Sequence, residues 1–246
     1  TFTTPWLVRP FEHGADLVYH SATKFLSGHG VVIGGVLVDS GAFDWQRSAD
    51  KFPTLCEPYS GFHDMTFVDE STTAAFLLRA RREGARDFGA CMAPFTAFQI
   101  LQGMETLPLR MERHVANTRA VLAFLRTHAF VGRIGYPDLP DHPDHALASA
   151  LMPRGCGAVF SFDLKGTRAQ GRRFIESLRL FSHLANVGDA KSLVIHPAST
   201  THFRMSDEDL ARAGIGEGTI RLSIGLENPE DLTEDLGRAL YAASKA

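Results

Sequence analysis

At 246 residues, 44% hydrophobic and 22% charged, the chain has an ordinary globular composition and enough length for one large or two small domains. A formal net charge of −3 and a pI near 6.4 supply no general attraction to nucleic acid or to an anionic membrane, and no run approaches the roughly 18 apolar residues of a membrane helix. Three cysteines, Cys56, Cys91 and Cys156, fit neither a disulfide framework nor a metal-ligand spacing; they are expected as buried thiols in a reducing cytoplasm.

In chain order, residues 16–40 predict strand, turn, strand. Asp16-Leu-Val-Tyr-His is short and apolar, Val31 to Val38 is strongly β-prone, and Lys24 falls in the connection between them. From Asp69 to Phe88 the residues favour a surface helix with Ala75, Leu78 and Ala85 on one side and Arg79, Arg81, Arg82 and Arg86 beside them. A second helix is expected after Pro108, with Met111, Val115, Leu122 and Leu125 at helical spacing and Gly132 and Pro137 as its terminators. The domain boundary is placed along it, giving 1–117 and 118–246. Asp138 to His145, with two prolines and two histidines, reads as an exposed loop. Ala158, Phe160, Phe162 and Leu164 alternate as on a half-buried strand of an antiparallel or mixed sheet. Asn228-Pro229-Glu230-Asp231 starts a final helix whose Leu232, Leu236 and Leu240 share a face.

Chemistry concentrates in Tyr19-His20-Ser21-Ala22-Thr23-Lys24-Phe25-Leu26-Ser27-Gly28-His29-Gly30. A lysine held among apolar residues favours the neutral amine, the form that attacks a carbonyl. The hydroxyls of Ser21 and Thr23, two residues apart, suit the phosphate of a cofactor whose aldehyde Lys24 would take, which points to pyridoxal phosphate. A lone loop lysine is ordinarily a solvated charge, so the reading rests on the surrounding pattern. In Ile220-Arg221-Leu222-Ser223-Ile224, alternation turns Arg221 and Ser223 away from the core, and a strand arginine offers two parallel N–H donors to a carboxylate. His114, His183, His196 and His202 show no zinc spacing and are expected as core or hydrogen-bonded residues; no metal is implied. The glycine runs at 28–30 and 214–218 lack the spacing of a dinucleotide loop and read as turns. Ser199 and His202 do not form a nucleophile elbow.

Ser21-Ala-Thr-Lys24, Gly28-His-Gly30 and Gly34-Gly35, followed by Ala185 to Leu193, His196-Pro-Ala-Ser-Thr-Thr-His202 and Ile220 to Gly225, resemble in order the segments of the Cys/Met-metabolism family of pyridoxal-phosphate enzymes. The resemblance runs nearly end to end. It implies an α/β protein, the C-terminal part of a fold-type I (aspartate-aminotransferase-like) enzyme, with a partial large domain and a small α/β C-terminal domain. It further implies a homotetramer with sites completed by a neighbouring subunit. Under it, Lys24 is the cofactor lysine and the base, Ser21 and Thr23 anchor the phosphate, and Arg221 clamps the substrate carboxylate. Ser192 lines that carboxylate site, with Thr201 a further candidate. Tyr59 to Arg113 and Phe181 to Asn186 are most similar to the branch that uses O-acetylhomoserine with sulfide or a small thiol. Other γ-enzymes of the family and a non-catalytic fragment are the rival readings. The family's phosphate-binding turn, ring-stacking tyrosine and ring-nitrogen aspartate would precede Thr1, so the chain is expected to be a C-terminal portion.

Overall fold

The computed structural model describes residues 1–246. After α1 (Thr4–Leu7) comes the expected strand, turn, strand: β1 (Leu17–Ser21) pairs antiparallel with β2 (Gly35–Asp39), from Leu17 opposite Asp39 to Ser21 opposite Gly35. β1 alternates in the manner of a half-buried strand, with Val18 and His20 buried and Tyr19 exposed. The connection is a wide helical turn, Ala22–Leu26, and Lys24 sits inside it.

A satellite core of Trp45, Leu55, Phe67, Val68 and Ala75 follows, edged by Phe43 and Phe52 and built on α2 (Pro53–Cys56), α3 (Phe67–Glu70) and α4 (Ala75–Arg79). The helix expected over 69–88 is therefore divided. Ser71-Thr-Thr interrupts it, and beyond α4 the chain widens into π-type turns over Ala80–Asp87. Ala75 is buried there and Ala85 exposed, so no single apolar stripe exists. The arginines instead use aromatic faces and two carboxylates: Arg82 and Arg86 lie 4.4 and 4.7 Å from the centre of the Phe62 ring, Arg79 makes two 2.8 Å bonds to Glu83, and Arg86 bonds Asp87 at 2.6 Å.

A helix that periodicity does not announce, α5 (Pro94–Glu105), precedes α6 (Leu107–Arg126). Its apolar residues lie all round the axis, with Phe95, Phe98 and Leu101 exposed and only Ile100 and Gly103 buried, which leaves no stripe to read. α6 buries Met111, Val115, Leu122 and Leu125 as spaced, together with Arg110, His114 and Asn117. It ends at Arg126, before Gly132; that glycine lies within β3 (Val131–Gly135), a strand too short to separate from the terminator signal.

The second half supplies a five-stranded sheet ordered β3–β4–β7–β6–β5, with β4 (Val159–Leu164), β5 (Ser182–His183), β6 (Leu193–Ile195) and β7 (Thr219–Ser223). All pairs are antiparallel except β5 with β6, so the sheet is mixed. Between strands lie α7 (His145–Leu151), α8 (Arg168–Ser177) and α9 (Asp207–Arg212). α10 (Pro229–Ser244) closes the chain, its first turn capped by Asn228 Oδ1 accepting the Glu230 N–H, and it buries Leu232, Leu236 and Leu240. The main apolar core, from Leu7 to Ala243, includes Phe25 and Leu26 of the lysine turn along with α6, β4, β7 and α10; the 117/118 position falls inside α6.

Three expectations are corrected. Ser223 is buried, since its face of β7 is covered by the chain around Gly188, whose N–H it accepts at 3.0 Å. The thiols are not buried: Cys91 is exposed, and Cys56 and Cys156 are half-buried, because none faces the centre of either core. His183 is exposed on the edge strand β5.

His114 lies wholly inside the core. One ring nitrogen bonds the Ile224 carbonyl at 2.7 Å, the ring meets Phe25 edge-on, and Nε2 has no partner. Desolvation, opposed only in part by that bond, lowers its pKa from 6.5 to about 4. A folded-state value below the unfolded one means that the stabilisation is complete above pH 6.5 and is lost as the pH falls toward 4. The displacement corresponds to about 3 kcal/mol at most. Unfolding free energy should therefore decline through this window, and His114→Asn, which can still donate to Ile224, should flatten the decline; an unchanged pH slope in the variant would refute the assignment. His196 and His20, also depressed by burial, contribute in the same direction.

Candidate functional site

The site is built where the lysine turn meets the loop before β6 and the open face of β7. β1 delivers the chain into Ala22–Leu26, whose Ala22, Phe25 and Leu26 are buried in the main core. At Lys24 the backbone (φ −91°, ψ −132°) departs from helical values. Anchored apolar residues on both sides hold the turn, and Lys24 is left half-buried with its ammonium donating to Asn186 Oδ1, 162 residues away in sequence.

The loop carrying Asn186 is drawn tight against the turn. Gly188 has φ +80°, and a Cβ there would come within 2.7 Å of the Phe25 nitrogen and 2.9 Å of Lys24 Cβ, so glycine is required. Its N–H bonds Ser223 Oγ, and Ala190 N–H bonds the Gly28 carbonyl at 2.8 Å. Gly30, at φ +65°, clears the buried Asp189 carboxylate, which a Cβ would approach to 2.3 Å. Both glycine runs are thus turns, with Gly28 and Gly214 also at positive φ.

Arg221 reaches the same loop from β7. Its Nη2 donates to the Asn186 carbonyl at 3.4 Å, so one asparagine receives the lysine on its side chain and the arginine on its backbone. Burial holds the Arg221 guanidinium below the ordinary arginine range, and neither cation forms an ion pair. Two half-buried cations facing neutral oxygens leave most of their donor capacity unspent, which suits an anionic ligand.

The remaining sequence candidates are placed less uniformly. Ser21 uses its backbone N–H on Thr1 Oγ1 and makes no side-chain cap bond. Thr23 Oγ1 accepts the Gly34 N–H at 3.0 Å and donates to the Gly34 carbonyl at 3.3 Å, bracing the start of the turn against the approach to β2. Ser192 is fully buried; its hydroxyl donates to Glu227 Oε2 at 2.8 Å and accepts the Gly225 N–H at 2.8 Å, so it shapes the loop from behind. Thr201 is exposed and bonds the ring of His202, outside the network around Lys24. His196 is fully buried between Ser199 Oγ and the Glu217 carbonyl, a structural role. No three His, Cys, Asp or Glu side chains converge as a metal site.

The donor set fits pyridoxal phosphate: an amine aimed into a site, hydroxyls at the mouth of its turn, and a guanidinium on a rigid strand. The sequence assigns Asn186 no role, and its signal there is its place in the family-like segments Phe181 to Asn186 and Ala185 to Leu193.

A family model described as Cys/Met metabolism PLP-dependent enzyme matches residues 1–241. Homocysteine synthase of Schizosaccharomyces pombe is 47% identical over 238 residues, covering 97% of this chain and 56% of that protein. O-acetyl-L-homoserine sulfhydrylase of Leptospira meyeri is 46% identical, covering 98% and 56%. Among solved structures, an O-acetylhomoserine (thiol)-lyase of Campylobacter jejuni, which carries a pyridoxyl-lysine phosphate residue, superposes with a TM-score of 0.92 at 38% identity, covering 98% of this chain and 57% of that one. A cystathionine gamma synthase of Xanthomonas oryzae pv. oryzae, in complex with cystathionine, gives 0.77 at 36% identity, covering 100% and 55%. The chain thus spans little more than half the length of these relatives.

Proposed function

Because the chain belongs to the family of Cys/Met metabolism PLP-dependent enzymes, we propose that it takes part in γ-replacement on O-acetylhomoserine by sulfide or a small thiol, giving homocysteine or methionine with release of acetate. The observation that carries this reading is the convergence of Lys24 and Arg221 on Asn186. It is supported by relatives named for homocysteine synthesis and O-acetylhomoserine sulfhydrylation, and by the higher TM-score of the thiol-lyase structure than of the cystathionine synthase.

Pyridoxal phosphate, when bound, supplies an aldehyde for Lys24 and an electron-accepting ring. Ser21 and Thr23 lie at the entrance to the turn, where their hydroxyls would hold the phosphate; Thr23 would turn from Gly34 to do so. Lys24 Nζ is the group that takes the α-proton and returns protons along the substrate, and Asn186 Oδ1 directs that amine. Arg221 holds the α-carboxylate through parallel N–H donors, which fixes the direction of the α-proton. Ser192 supports the same subsite by ordering the Gly225–Glu227 turn. Thr201 remains a candidate only at the rim. The same membership supports a homotetramer, with 1–117 belonging to the cofactor domain and 118–246 to the small domain, and three free cysteines support a cytoplasmic location; light scattering would give the mass.

The chain is expected to convert O-acetylhomoserine and sulfide to homocysteine and acetate, and to leave cystathionine and methionine unconsumed, as followed by mass spectrometry of products. Turnover of methionine alone would overturn the substrate assignment.

A further inference from the structure

The side of the lysine turn away from the site is held by a group to which the reaction assigns no task. Arg110, on α6, is 6% exposed and forms no ion pair. Its guanidinium donates to Phe25 O at 2.9 Å, Leu26 O at 3.3 Å, Gly103 O at 2.6 Å and Thr106 Oγ1 at 3.2 Å. Gly28 clears the path of the guanidinium, and Gly103 lets α5 come against the turn itself. A Cβ on Gly28, which sits at φ +73°, would lie 2.1 Å from Arg110 Nη1, and a Cβ on Gly103 would lie 2.2 Å from the Ser27 carbonyl oxygen.

The carbonyls of the turn account for this placement. Ala22 O accepts from Ser27 N–H, Thr23 O from Ser27 Oγ, and Lys24 O from Gly28 N–H. Phe25 O and Leu26 O close the turn where no further N–H is available, the usual deficit of a helix C-terminus. Arg110 satisfies both. Burying a guanidinium among neutral acceptors is costly, as its depressed pKa reflects, and an apolar side chain could fill the volume but not serve the two carbonyls.

We propose that Arg110 is a positioning residue for Lys24: by capping Phe25 O and Leu26 O from outside the site, it fixes the turn that aims the amine at its partner. The inference rests on the cofactor-lysine reading given above. Arg110 touches neither substrate nor cofactor and acts only through the backbone of the turn. Lysine at position 110 would reach a single acceptor, and methionine none.

The test is borohydride trapping of pyridoxal phosphate on the 246-residue chain, with peptide mapping. The chain has five lysines, and Lys51, Lys165, Lys191 and Lys245 are exposed internal references for non-specific labelling. Lys24 in the unaltered chain should label far faster than the other four. Arg110→Met should reduce the Lys24 rate relative to those references by about tenfold or more, as expected when a reacting group is misplaced, and Arg110→Lys should fall between. Asp235→Asn serves as a remote comparison: Asp235 accepts the N–H groups of Arg179, Leu180 and Phe181, so its loss destabilises the fold away from the turn. A drop at Lys24 in the Arg110 variants but not in Asp235→Asn supports the proposal. Wild-type Lys24 labelling in Arg110→Lys, or an equal drop in Asp235→Asn, overturns it. If Arg110→Met does not fold, the Arg110→Lys rate decides alone. Failure of Lys24 to label preferentially in the unaltered chain would instead overturn the cofactor-lysine reading itself.

Discussion

On the function proposed above, replacing Lys24 by alanine is expected to lower turnover of O-acetylhomoserine by at least ~10³-fold, since the group proposed to attack the aldehyde and carry the α-proton is removed. The fold should survive. Lys24 is half-buried, its ammonium bonds only Asn186 Oδ1, and the turn is held by Ala22, Phe25 and Leu26 in the core and by backbone bonds that a methyl group does not disturb. Removing an unpaired cation near Arg221 should change stability by no more than about 0.5 kcal/mol. Acetate release and far-ultraviolet circular dichroism check the two halves of this expectation. Activity within about tenfold of the unaltered protein would exclude Lys24 as the reacting amine, and loss of the folded spectrum would contradict the account of how the turn is held.

Replacing Arg221 by alanine should act on a different parameter. A guanidinium that holds a carboxylate through two N–H groups contributes about 3 kcal/mol when desolvated, so KM for O-acetylhomoserine should rise about 10²-fold, with a smaller fall in kcat. Arg221→Lys keeps the charge but not the fork and should recover only part of the loss. Thermal stability should not fall in parallel. Burial already disfavours this guanidinium, and its one bond within the chain is a 3.4 Å contact with the Asn186 carbonyl. An unchanged KM would place the carboxylate elsewhere in the site.

These two residues differ in how they could be read. Lys24 is legible in one dimension because its companions are neighbours: Ser21, Thr23 and the glycines at 28 and 30 lie within a single turn of chain. Arg221 is legible as a strand position, since alternation in Ile220 to Ile224 sets its face. Alternation misleads at Ser223, however. It assigns a face without saying what covers that face, and the cover is the loop at Gly188, more than thirty residues upstream. The helix expected over 69–88 rests on propensity, which the aromatic cluster around Trp45 and the packing of Arg82 and Arg86 on Phe62 override. α5 escaped detection because a helix with apolar residues on every side has no periodic signature.

The amino-acid order by itself determined the half-buried strands and the amphipathic α6 and α10, and it singled out Lys24 as the candidate for the chemistry, because each depends on spacings of a few residues. Only the tertiary structure decided that Asn186 receives the lysine, that Arg110 caps its turn across 85 residues of sequence, and that Ser192 is sealed behind Glu227. Hydrophobic period is a local property, whereas a buried donor or carbonyl must be satisfied by whichever segment packing brings within about 3 Å, and no local pattern records which segment that will be.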